Sequence, residues 1–149
     1  MSSLSRFLTI EAAVSAVING ALSAGFTALL FSGRGVVPPY GQGGYAMDFP
    51  IQSFMVALMS VTVPSLIVQA RLRSGKLAFL RGASAGPLWR RSVGAAFAAA
   101  AVLGGAAMAV SLAAPPLAFA NLMALKIAYG AALGAVLTTW ALKRLVAAA

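Results

Sequence analysis

The chain has no cysteine and no histidine, and only two acidic residues, Glu11 and Asp48, among 149. Without cysteine there is no disulfide framework, thiolate metal site or cysteine nucleophile. Without histidine, two carboxylates are too few ligands for the usual zinc, haem or di-iron centres, so neither a metal nor a cofactor is expected. No Walker A pattern and no dinucleotide fingerprint occurs. No nucleophile–base pair is visible, and general acid–base chemistry would have to fall on Glu11, Lys126 or a tyrosine. These absences argue against an enzyme.

Charge is scarce as well. Charged residues make up 9% of the chain, against about a quarter in soluble domains. Hydrophobic residues make up 61%, and the mean hydropathy is +0.93. The apolar residues fall in four blocks, 7–31, 50–70, 92–114 and 117–142. Each is about as long as a helix needs to cross a ~30 Å hydrocarbon core. Backbone groups in lipid are satisfied only in helices and closed barrels. The expected fold is an all-α integral membrane protein, a four-transmembrane-helix bundle forming a single domain over residues 1–149. A glycine- and proline-rich loop, 32–49, and a basic loop, 71–91, remain between the spans.

The net charge of +9 is distributed by side. Arg6 precedes the first block, and Arg71, Arg73, Lys76, Arg81, Arg90 and Arg91 lie in the 71–91 loop. Lys143 and Arg144 follow the fourth block. Only Arg34 falls on the opposite side, and Lys126 lies within a span. By the positive-inside rule both termini are cytoplasmic (N-in/C-in) in a bacterial inner membrane. The 71–91 loop is expected to contact anionic headgroups, at about 1 kcal/mol per basic residue, with a short interfacial helix from Lys76 to Gly82. A patch tethered at an acidic membrane surface does not suggest nucleic acid. Ala21-Leu22-Ser23-Ala24 resembles a signal-peptide cleavage site, but Glu11 and Asn19 interrupt the apolar stretch before it.

Within the first span, Glu11, Ser15, Asn19, Ser23 and Thr27 recur at a spacing of four, beside a second line of Ala12, Ala16, Gly20, Ala24 and Ala28. On a helix these are adjacent stripes, so one face is both polar and small. It is either a helix-packing face or the wall of a polar path. In the loop, Gly33, Gly35, Pro38, Pro39, Gly41, Gly43 and Gly44 argue against a regular element. Asp48 before Pro50 reads as a helix start. Pro64 in the second span leaves the Ser60 carbonyl without its helical partner and predicts a kink, with Ser60 and Thr62 placed to compensate. The third span is alanine-rich with Gly104 and Gly105 at its middle, and is expected to be the most enclosed of the four. The fourth carries Lys126, Gly130, Gly134 and Thr138 at a spacing of four. Gly20, Gly104, Gly105, Gly130 and Gly134 are the candidate close-packing positions. Pro38-Pro39 and Pro115-Pro116 echo one another, as a parallel duplication would leave them.

Depth separates the intramembrane charges. At 1.5 Å per residue, Glu11 lies about one and a half turns inside the inner edge, while Asn19 and Lys126 both lie near mid-depth. Glu11 is therefore expected either to meet Arg6 or an inner-loop arginine, or to act as a protonatable group in a cavity. Lys126 has an easier bond to Asn19 than to Glu11, and can also snorkel toward Asp48 or the headgroups. A second possibility for Lys126 is to line an anion or substrate path.

Four short spans with a lone glutamate, Glu11, in the first resemble the layout of the small multidrug resistance transporters. That resemblance implies a glutamate binding cationic substrates and protons in a two-copy pump, and it carries over to Glu11 alone. The chain departs from the family in its long inner loop, its second span without tyrosine and its third span without an aromatic residue except Phe97. Lys126 would also oppose a cation. The resemblance is one of layout, not of membership.

Two functions follow as expectations. One is an accessory or structural subunit that packs against itself or a larger membrane complex through its small-residue faces. The other is a small proton-coupled transporter or channel using Glu11, Ser15, Asn19 and Lys126.

Overall fold

A computed structural model describes residues 3–73 and 88–147. In order, the elements are α1 (Ser3–Phe31), β1 (Val36–Val37), α2 (Asp48–Arg73), α3 (Leu88–Ala99), a π-helical turn (Ala100–Gly104), α4 (Gly105–Leu112), β2 (Leu117–Ala118) and α5 (Phe119–Ala147). Among the described residues four helical stretches are long and apolar enough to cross a membrane: Leu4–Phe31, Asp48–Arg71, Ser92–Leu112 and Phe119–Arg144. The third runs through α3, the π turn and α4. The interfacial helix expected from Lys76 to Gly82, with Lys76 and Arg81, lies outside the described residues.

Local chemistry sets the helix ends. α1 stops before Gly33, whose φ of +84° is a left-handed conformation that suits glycine. Asp48 stands in the first turn of α2, two residues before Pro50, where a missing N–H costs nothing. Pro115 and Pro116 follow the end of α4. The 32–47 connection is less irregular than its glycines and prolines suggest. Val36–Val37 pairs antiparallel with Leu117–Ala118, with Val37 opposite Leu117. This pairing ties the two connections at one end of the bundle (the connection end, opposite the chain termini). It also takes residues 117–118 out of the fourth span, which begins at Phe119. Around it, Phe31, Val37, Tyr45, Phe49 and Leu122 form a buried apolar cluster.

The helices pack as a row. α1 lies along α5, α5 also touches α2, and α2 carries the third span. The arrangement is nearly two-fold. Each half is a span, a two-residue strand and a second span, and the strand follows its helix at the same interval: Val36 after Phe31 and Leu117 after Leu112. Each outer seam also has one glycine against a serine. Gly130 of α5 meets Ser23 of α1, and Gly104 of the third span meets Pro50 and Ser53 of α2.

The third span is not the most enclosed, as its composition suggests. Only 17% of its most apolar window is buried, against 44% for α2 and 33% each for α1 and α5. The third span is at one end of the row, with α2 as its main neighbour; α1, at the other end, is as buried as the central α5, so place in the row accounts for only part of the difference.

Candidate functional site

The polar stripe of α1 divides into three separate environments. Near the chain termini, Glu11 Oε1 accepts from Arg71 Nη1 at 3.3 Å, linking α1 to the last turns of α2. The arginine side chain is 46% exposed, so the pair sits at the surface of the bundle.

One turn further on, the stripe is sealed against two helices. Ser15 Oγ donates to the Gly134 carbonyl at 3.1 Å and lies 2.7 Å from Thr138 Oγ1, both of α5. Asn19 Nδ2 donates to the Ser15 carbonyl at 2.8 Å and reaches Ser60 Oγ of α2 at 3.1 Å. Glycine at 134 makes this possible, because a Cβ there would come within 2.6 Å of Asn19 Nδ2. Thr138 Oγ1 also lies 3.2 Å from the Ser60 carbonyl. That carbonyl is the one Pro64 leaves without a helical donor, so α5 brings a hydroxyl to the group that proline frees in α2, although the single Thr138 proton is shared with the closer Ser15. Neither Ser60 nor Thr62 compensates for the break as expected: the Ser60 hydroxyl meets Asn19 and Ser15 instead, and the Thr62 hydroxyl is buried without a partner among the described residues.

Toward the connection end lies a buried ion pair. Lys126 is fully buried, and its Nζ is 2.8 Å from Asp48 Oδ2. The same nitrogen donates to the Tyr45 carbonyl at 3.4 Å and stands 3.6 Å from the centre of the Phe49 ring. Phe49 in turn meets Tyr129 edge-on at 5.0 Å, and Tyr129 shares a 2.6 Å hydrogen bond with Ser53. The Tyr45 phenol donates to the Pro115 carbonyl at 3.2 Å, and burial raises its pKa above the ordinary tyrosine value. Lys126 therefore pairs with Asp48 rather than Asn19. The direction of helical side chains explains this. They lean toward the helix N-terminus, and the N-terminus of α5 is at the connection end, away from Asn19.

Between these environments is a residue that the sequence reading passes over. Gln52 Nε2 donates to Ser23 Oγ at 2.7 Å and to the Lys126 carbonyl at 3.1 Å, tying α2 to both α1 and α5. An amide inside an otherwise apolar block was the available signal. The glycines also divide. Gly104, Gly130 and Gly134 allow close approach, Gly20 has only ordinary contact with Ala131 and Ile127, and a Cβ added at Gly105 would meet nothing within 4 Å among the described residues. Of the basic residues expected at headgroups, Arg71 and Arg90 are exposed. Arg73 and Arg91 stand at helix ends where only the backbone is described, and Lys76 and Arg81 lie outside the described residues. Among the described residues no group of three or more potential metal ligands occurs. Comparison with protein-family models, curated proteins and solved structures returns no match.

Proposed function

We propose that the chain is a polytopic protein of the bacterial cytoplasmic membrane, with both termini inside, that serves as a structural or accessory subunit. It associates with a second copy through its third span. Orientation rests on charge: Arg6, Arg71, Arg90, Lys143 and Arg144 belong to the end of the bundle that holds the chain termini, and Arg34 to the other. The loop 71–91 would then lie at anionic headgroups.

The observation that carries the self-association is the uncovered small-residue face of the third span. Gly94, Ala98, Ala101 and Ala109 are exposed there, and an added Cβ at Gly94 or Gly105 would meet nothing. Small residues offer little surface to lipid chains but let a second backbone come close. The other seams of the bundle use their glycines in this way. A path through Glu11, Ser15, Asn19 and Lys126 has less support, because Glu11 and Lys126 end in separate ion pairs. The mass of the purified protein in lipid nanodiscs tests the proposal. A dimer or larger assembly is expected, and Gly105→Leu should shift it toward monomer without loss of helicity. A strictly monomeric wild-type protein would remove the proposal.

A further inference from the structure

On the side of the bundle away from the third span, α1 and α2 leave a groove of about 450 Å³ between them. Its walls are apolar: Leu22, Phe26 and Leu30 from α1, and Ile51, Met55 and Met59 from α2. Asn19, Ser23, Thr27, Gln52 and Asp48 contribute its polar lining.

Two of those polar residues are incompletely satisfied, and their orientation is fixed. A backbone carbonyl only accepts hydrogen bonds. The Ser15 carbonyl therefore holds the nitrogen of Asn19, and the Lys126 carbonyl holds the nitrogen of Gln52. Each amide is thereby locked with its oxygen turned away from that carbonyl. Asn19 Oδ1 and Gln52 Oε1 are both buried and both lack a partner. Asn19 as a whole is only 3% exposed. Buried acceptors are nearly always paired, and both residues line this groove, so their two oxygens call for a donor that the described residues do not supply.

Charge decides which donor. Asp48 lines the groove, but its carboxylate is already neutralised by Lys126 at 2.8 Å. An ammonium entering here would lose its hydration and find no net counter-charge. A neutral hydroxyl loses less and satisfies an amide oxygen directly. The apolar walls require the rest of the molecule to be hydrocarbon. Phe26 and Leu30 are each 50% exposed and Ile51 is 64% exposed, so the groove opens sideways, toward what surrounds the helices.

We propose that the α1–α2 groove binds a neutral, hydroxyl-bearing amphiphile drawn from the bilayer, with its chain against Phe26, Met55 and Met59 and its hydroxyl donating to Asn19 Oδ1 or Gln52 Oε1. The bilayer as source rests on the membrane reading given above.

The test is photolabelling of the full-length protein in phospholipid vesicles with a diazirine-bearing long-chain alcohol. A hydrocarbon of the same length without the hydroxyl serves as the parallel probe. Labelled residues are mapped by mass spectrometry. The alcohol is expected to label Phe26, Met55 and Met59 about five- to tenfold more than the exposed Leu29 and Val110, the preference one hydrogen bond supplies. Excess 1-dodecanol should compete and dodecane should not. Met55→Trp, which fills the groove from a half-exposed position, should abolish the preference. Gln52→Met, which keeps the bulk but removes the amide, should reduce it. Equal labelling of all exposed apolar residues, or labelling indifferent to the hydroxyl, overturns the site. Failure of the protein to float with vesicles would instead overturn the membrane reading, and with it the bilayer as source.

Discussion

α5 and the third span are alike in composition and opposite in fate. Both are apolar, rich in alanine and furnished with a pair of mid-span glycines. In α5 both glycines are filled, Gly130 by Ser23 and Gly134 by Asn19. In the third span Gly104 receives Pro50 and Ser53, while its neighbour Gly105 faces open space. Small-residue spacing marks where a backbone can approach. It does not say whether the partner belongs to the same chain. The helix in the middle of the row finds its partners internally, and the helix at the end keeps a free face.

The largest effect is expected where α5 is most deeply committed. Lys126→Met should destabilise the bundle by about 3–5 kcal/mol, because the Asp48 carboxylate would be left without its counter-charge in a largely buried site. Adding Asp48→Asn should recover much of that loss. Denaturant titration in mixed micelles measures both, and a single variant as stable as wild type would show that the pair contributes little.

The glycines sharpen the comparison at an intermediate scale. Gly134→Ala forces a methyl group onto Asn19 and should cost about 1–3 kcal/mol. Gly105→Ala meets nothing in the isolated bundle and should stabilise it by up to about 1 kcal/mol through helix propensity. Equal responses at the two positions would erase the distinction between the filled and the open face. The smallest effect belongs to Glu11→Gln. Its pair with Arg71 is partly exposed, and loss of such a pair costs about 0–1 kcal/mol. A much larger loss by the same titration would give Glu11 a structural weight its position does not suggest.

The four long apolar helices were legible because hydropathy and length act locally, along each helix by itself. So was the placing of Gly130 and Gly134 on one face of α5, since their spacing sets it. The partners were not legible. Thr138 reaching Ser15 and the Ser60 carbonyl, and Gln52 bridging Ser23 to Lys126, join residues far apart in the chain and depend on which helices are neighbours. Lys126 illustrates the division. Depth alone put Asn19 and Lys126 at one level, but the lean of side chains along α5 carries the ammonium to Asp48. The third span shows the same limit at larger scale: its composition predicted close packing, and the described residues of the chain leave much of it uncovered.

The central claim is that this open face meets a second copy. The absence of cysteine makes the test direct, because any disulfide formed by a single introduced cysteine must be intermolecular. Ala101→Cys on the exposed side of the third span, oxidised in native membranes, should give a covalent dimer. Leu29→Cys, on the 76% exposed face of α1, should remain largely monomeric. Equal yields from the two positions, or no dimer from Ala101→Cys, would contradict the account.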